Sequence, residues 1–306
     1  MILWERYLTK FDRVYVVGRV CNSSVHSRDN FVELCSDKVT VIDLPYYIGL
    51  WGYLKNRRKI KRIIDKVISK GNAYLARVPG NIGSLAAQCL KQKEIPYALE
   101  IVGDPWESMS KQAYGSVLSP LLQRISRHQL QHLAKNASAA LYVTNHILQN
   151  KYPVGNGVFS TGASNVVLND DCFADEPRKV TTRKPTPPIR LMSVGTLSQL
   201  YKAPDIILKA VAILKNKGYQ LYLTWYGDGQ YKEPMKLLAS KLGISDFVNF
   251  AGAVPQSVIR EEFDRTTLFV HASRAEGLPR AVIEAMAWGL PCIGSSVAGI
   301  PELLDE

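Results

Sequence analysis

The chain alternates two kinds of apolar spacing. Short unbroken apolar runs at residues 13–18, 73–78, 97–102 and 139–143 have the length of buried strands. Between them, residues 54–70, 82–92, 117–136 and 145–151 are read as helices. The clearest is 54–70, where Ile60, Ile63, Ile64, Val67 and Ile68 fall on one face. The same alternation returns later, with strand-like runs at 189–194, 221–226, 247–250 and 268–270 and helix-like segments between them. Residues 173–188 have no period and hold four prolines, which marks a linker. The pattern predicts an α/β chain of two domains, residues 1–172 and 189–306, each with a parallel sheet and helices on both faces.

Residues 271–291 carry the densest chemistry. The run Leu268–Val270 reads as a strand that breaks at Glu276 and Gly277 and restarts as a helix at Pro279. Gly289 suits the helix stop, and Cys292 and Ile293 begin a further strand. Glu276 then sits at the C-terminal end of a sheet strand, where open α/β sheets bind ligands, and Glu284 sits on the helix. The free amides of Gly277 and Leu278 are expected to open the helix and suit a phosphate or a sugar oxygen. A carboxylate accepts two hydrogen bonds at once and matches a vicinal diol, so the two glutamates suit two diols of one extended ligand.

The whole string resembles the E-x7-E segment of retaining nucleotide-sugar glycosyltransferases of family 4. The matching residues are Ser273, Glu276, Gly277, Leu278, Pro279, Glu284, Ala285, Met286, Ala287, Gly289, Pro291, Gly299, Pro301 and Glu302. The resemblance implies the GT-B fold, with two Rossmann-like domains and an active-site cleft between them. It implies that Glu276 binds hydroxyls of the donor sugar and Glu284 the ribose of the nucleotide. Gly195, Thr196 and Lys202 resemble the family's donor-diphosphate loop, with Thr196 where an arginine is common and Lys202 as the remaining cation. Backbone groups near Val254 are implied beside the base. Asp104, at the end of the 97–102 strand, falls where the family often places a polar active-site residue; otherwise it caps the next turn. Arg77 is a weaker site of the same kind.

The activity implied is transfer of a sugar from a UDP- or GDP-sugar donor to a glycan or lipid-linked acceptor, with retention of configuration. It needs no cofactor and no metal beyond the donor itself. Rival readings are a sugar-nucleotide epimerase or phosphorylase on the same fold, and a donor-binding partner protein without turnover. Relative to the family, the chain reads as shortened at both ends.

Charge adds an asymmetry. The net +11 lies wholly in residues 1–187, with 26 Lys+Arg against 15 Asp+Glu, since residues 188–306 hold 12 of each. Eight cations, Lys55, Arg57, Arg58, Lys59, Lys61, Arg62, Lys66 and Lys70, surround the apolar face of the 54–70 helix. Tyr46, Tyr47, Trp51 and Tyr53 precede it. A basic helix beside interfacial aromatics suits a peripheral anionic membrane surface, while its apolar face is only as wide as docking on a sheet requires. No nucleic-acid module is recognisable. The five cysteines, Cys21, Cys35, Cys89, Cys172 and Cys292, are scattered like reduced thiols of a cytoplasmic protein. His128 and His132 are four apart on a helix but have no third ligand in the pattern, so no metal site is expected.

Overall fold

The computed structural model describes residues 4–21, 36–110, 118–174 and 188–304. Residues 175–187, most of the expected linker, lie outside the described residues. The first half begins with a short helix, α1 (Glu5–Leu8), and a parallel pair of strands, β1 (Val14–Arg19) and β2 (Val39–Leu44). Helix α2 (Gly49–Val67) follows, then β3 (Leu75–Val78), α3 (Asn81–Gln92), β4 (Ala98–Ile101) and α4 (Pro105–Ser108). Helix α5 (Ser119–Lys135), β5 (Ala139–Tyr142), α6 (Ile147–Lys151) and β6 (Phe159–Gly162) complete it. Strands β3, β4, β5 and β6 form one parallel sheet in that order. Among the described residues no ladder joins β1 to β3, so the single sheet expected in this half is instead two.

Helix α2 is docked. Ile60 and Ile64 are buried against Leu44, Tyr47, Leu85 and Cys89. Each such side chain contributes about 1.5–3 kcal/mol relative to exposure. Tyr47 and Tyr53, two of the aromatics read as a surface cluster, pack at this same seam, whereas Tyr46 and Trp51 remain exposed.

The second half is one five-stranded parallel sheet in the order β11-β10-β7-β8-β9. Its strands are β7 (Ile189–Val194), β8 (Leu221–Tyr226), β9 (Val248–Gly252), β10 (Leu268–His271) and β11 (Cys292–Gly294). The crossovers are α7 (Pro204–Asn216), α8 (Lys232–Lys241), α9 (Gln256–Arg265) and α10 (Arg280–Ala287). Leu223, Phe269, Val282 and Ala285 are fully buried in its cores. The chain steps outward from β7 to β9, then returns to place β10 on the other side of β7. That reversal opens a crevice between the C-terminal ends of β7 and β10, where sheets of this kind bind ligands.

The two halves meet at the C-terminal edges of their sheets. A Cβ on Gly277 would lie 2.0 Å from the Val102 carbonyl oxygen, so only glycine permits this approach. Leu278 packs against the core of the first half.

Candidate donor site at the β7–β10 crevice

Strand β10 ends in His271, and the loop that follows turns Ser273 and Glu276 back toward β7. From the other side, Lys202 reaches in from the loop after β7. Its stem lies over Gly195, where a Cβ would stand 3.0 Å from the Lys202 Cγ. All three polar neighbours of Glu276 meet one oxygen. Oε1 accepts from Ser273 Oγ at 2.7 Å, pairs with His271 Nε2 at 2.8 Å, and is bonded by Lys202 Nζ. Ser273 Oγ and His271 Nε2 are themselves 3.0 Å apart. Among the described residues no hydrogen bond falls on Oε2.

The Glu276 side chain is 9% exposed. Burial pushes its carboxyl up, but the His271 hydrogen bond and the Lys202 charge outweigh burial and hold it down at about 2. The group is therefore a fixed anion with one oxygen tied and one open. Burial, with the Glu276 charge, pushes the Tyr201 hydroxyl up, and the Lys202 ammonium lies 5.2 Å from the Tyr201 ring centre. Arg274 fastens the two loops together. It forks onto Asp205 at 2.8 and 2.7 Å and also donates to the Leu200 carbonyl.

Glu284 lies one turn into α10. Its Oε1 accepts from Arg280 Nε and from Gln256 Nε2, each at 2.7 Å. Gln256 opens α9 two residues after Val254, which packs against the core behind it. The two glutamates are thus held alike, each by one oxygen.

The structure places the remaining predicted residues as follows. Thr196 is taken up in its own loop, accepting from the Ser198 amide at 3.1 Å and meeting the Ser198 hydroxyl at 2.9 Å. Gly195 is bound to β8 and the loop after it, as Trp225 Nε1 donates to its carbonyl at 2.9 Å. Gly227, at φ +132°, allows that second loop to lie against the Gly195 carbonyl. Helix α10 starts at Arg280, later than expected, so the amides of Gly277 and Leu278 stand outside it. Pro279 precedes the helix, and its carbonyl accepts from Val282 and Ile283. Asp104 is not brought to the crevice. It is 3% exposed and caps α4 by accepting from Trp106 N at 2.8 Å. The Tyr152 hydroxyl donates to the same oxygen as Trp106 N, Oδ1, and Lys151 Nζ meets Oδ2 at 2.8 Å. Arg77 lies 3.8 Å from Glu100, a buried carboxylate on β4. His132 is in contact with Lys91, and no group of three His, Cys, Asp or Glu that could hold a metal occurs among the described residues. His271, Gln256, Arg280 and Arg274 were not singled out from the sequence. The signal for His271 was available: a lone polar residue closing an apolar strand.

The family described as glycosyl transferases group 1 matches residues 175–306. Protein CapJ of Staphylococcus aureus is 30% identical over 307 residues, covering 99% of this chain and 75% of CapJ. The chain belongs to the group 1 glycosyl transferases. The amylovoran biosynthesis glycosyltransferase AmsK of Erwinia amylovora is 33% identical over 125 residues, 39% of this chain and 30% of AmsK. The chain thus spans three quarters of CapJ, whereas its match to AmsK takes in less than a third of that protein. Among solved structures, the sucrose-phosphate synthase of Thermosynechococcus elongatus superposes with a TM-score of 0.71 at 17% identity, over 98% of this chain and 76% of that one. The architecture of this glycosyl transferase is accordingly the two-domain GT-B fold. Among its described residues no helix is long and apolar enough to cross a membrane.

Proposed function

We propose that this glycosyl transferase takes a sugar from a nucleotide diphosphate sugar and passes it, with retention of configuration, to a glycan or lipid-linked acceptor during polysaccharide assembly. The observation that carries the reading is the half-occupied Glu276 carboxylate, ionised and held beside the Lys202 ammonium at the β7–β10 crevice. Its open oxygen suits hydroxyls of the donor sugar, and Glu284, set by Arg280 and Gln256, suits the ribose diol. Lys202 then exchanges Glu276 for the diphosphate, while His271 and Ser273 stay on Oε1 and keep the carboxylate in place. Negative charge grows on the departing diphosphate, so a preplaced ammonium favours the transition state over the bound donor. Lys202, Glu276 and Glu284 are the donor groups proposed, with Gly195 as the seat for the lysine stem.

Polysaccharide assembly is supported by the kinship with AmsK, a biosynthesis enzyme for amylovoran. A lipid-linked acceptor is supported by the first domain. Trp51 is 83% and Ile48 76% exposed at the start of α2, and Arg57, Arg58, Lys59 and Arg62 are exposed along it. Such a rim suits peripheral contact with an anionic leaflet. The test is incubation with a panel of UDP- and GDP-sugars and lipid-linked acceptors, following labelled sugar. Transfer from one donor supports the reading. Nucleotide binding without turnover on any acceptor would instead make the chain a donor-binding partner.

A further inference from the structure

We infer that Glu302 is an interdomain latch that positions the Glu276 loop for transfer. Glu302 belongs to the second domain, yet its carboxylate is spent on the first. Oε2 accepts from Asn145 N at 2.5 Å; Oε1 accepts from His146 N at 3.0 Å and Ile147 N at 2.7 Å. These are the amide of the first residue of α6 and those of the two residues leading into it, which have no partners inside the helix. Locally, Thr144 Oγ1 accepts only from the Leu148 amide, at 3.1 Å, and His146 makes no side-chain cap bond. The three amides before Leu148 are met instead from 155 or more residues away. Burial pushes the Glu302 carboxyl up, but the three amides outweigh it and hold it below the usual range, so the latch is an anion on a helix N-terminus.

The latch is wired to the site by a short path. Ile300, two residues before Glu302, is 1% exposed and fixes the segment in the second domain. The Gly299 amide donates to the Gly277 carbonyl at 2.9 Å, and Gly277 is the residue after Glu276. The far side of Gly277 rests on the Val102 carbonyl of the first domain. The buried Glu107 carboxylate of the first domain faces the Ala298 backbone of the same segment. The loop holding Glu276 is therefore clamped between the domains, with Glu302 as the charged end of the clamp. Beside it, a cavity of about 430 Å³ is lined by Asn145, Leu278, Ile283 and Glu302, drawn from both domains, which leaves room for the seam to open.

The proposed donor groups, Lys202, Glu276 and Glu284, all lie in the second domain, whereas transfer needs both. Breaking the latch is thus expected to spare donor binding and to lower transfer. The activity arm rests on the proposed function; the structural arm does not. The experiment is hydrogen exchange on Glu302→Gln and Glu302→Asp, with nucleotide binding and transfer measured on the same samples. In Glu302→Gln the amides of residues 145–147 should exchange at least about tenfold faster while those of β4 and β7 are unchanged. Nucleotide affinity should stay within about twofold and transfer should fall at least about tenfold. Glu302→Asp keeps the charge on a shorter arm and should fall between. Unchanged protection at 145–147 in Glu302→Gln overturns the latch. So does a loss of nucleotide affinity equal to the loss of transfer, which would place Glu302 in the donor site or in folding. If the wild type transfers no sugar, the proposed function fails, and the exchange data still decide the latch.

Discussion

Asp104 and Glu276 stand at the facing edges of the two sheets, their side chains 2% and 9% exposed, both with three polar partners, and they do opposite things. The partners of Asp104 divide over its two oxygens, with Trp106 N and Tyr152 on one and Lys151 on the other. Both oxygens are thus engaged within the first domain, and the carboxylate ties α4 to α6. The partners of Glu276 crowd onto Oε1 and leave Oε2 without a hydrogen bond among the described residues. A carboxylate at a sheet edge is thus a structural cap when both oxygens are spent and a binding group when one is kept back. Burial and partner number do not separate the two cases; the distribution of partners does.

The contrast breaks first at Asp104. Replacing it with Ala leaves the Trp106 amide and the buried Tyr152 hydroxyl unpaired and Lys151 with Glu107 alone, and each buried group left unsatisfied costs about 1–3 kcal/mol. Urea unfolding should report that loss, with nucleotide binding by the folded fraction unaltered. A stable Asp104→Ala protein with damaged transfer would return Asp104 to the active site. On the other edge, Lys202→Ala should lower turnover about 100-fold, since a lost electrostatic donor to a leaving group typically costs that much. Donor affinity should fall by less. Equal turnover with and without the lysine would show that another cation meets the diphosphate.

Glu284→Ala comes next. Loss of a charged acceptor from a ribose diol is worth about 1.5–3 kcal/mol of nucleotide affinity. Calorimetry on a folded variant checks it, and unchanged affinity removes Glu284 from the site. The pH dependence of stability sharpens the same comparison. Glu276 is held down at about 2 from an ordinary 4.5, so its contribution is fully present above pH 4.5 and is lost as pH falls toward 2. Wild type and Glu276→Gln should therefore differ in urea midpoint near pH 6 and converge on acidification. A difference that grows as pH falls would contradict the assignment.

The layer pattern and the second domain were readable in the sequence because their strands are continuous apolar runs. Strand β6 was not, since Phe159, Ser160 and Thr161 are exposed and carry no apolar run. Strand β2 was not legible as one, since Thr40 and Asp43 interrupt its apolar run and only Val39 and Leu44 at its ends are buried. Glu276, Glu284 and Lys202 were found through local spacing and resemblance. Their pairing was not legible: His271 and Ser273 are near in sequence, but Lys202 is 74 residues from Glu276 and Gln256 is 28 from Glu284. Whether Asp104 is a cap or a ligand depended on Lys151 and Tyr152, more than forty residues on. Local pattern fixes which residues reach a sheet edge; only the fold decides which of their atoms are already spent.

The central claim is that the open oxygen of Glu276 meets the sugar and not the nucleotide. Titration of wild type and Glu276→Gln with UDP or GDP, and with the matching nucleotide sugar, tests it directly. The free nucleotide should bind both proteins alike, and the nucleotide sugar should bind the variant at least about tenfold more weakly, a difference of about 1.4 kcal/mol. Equal affinity of the two proteins for the nucleotide sugar, or an equal loss for both ligands, would contradict it.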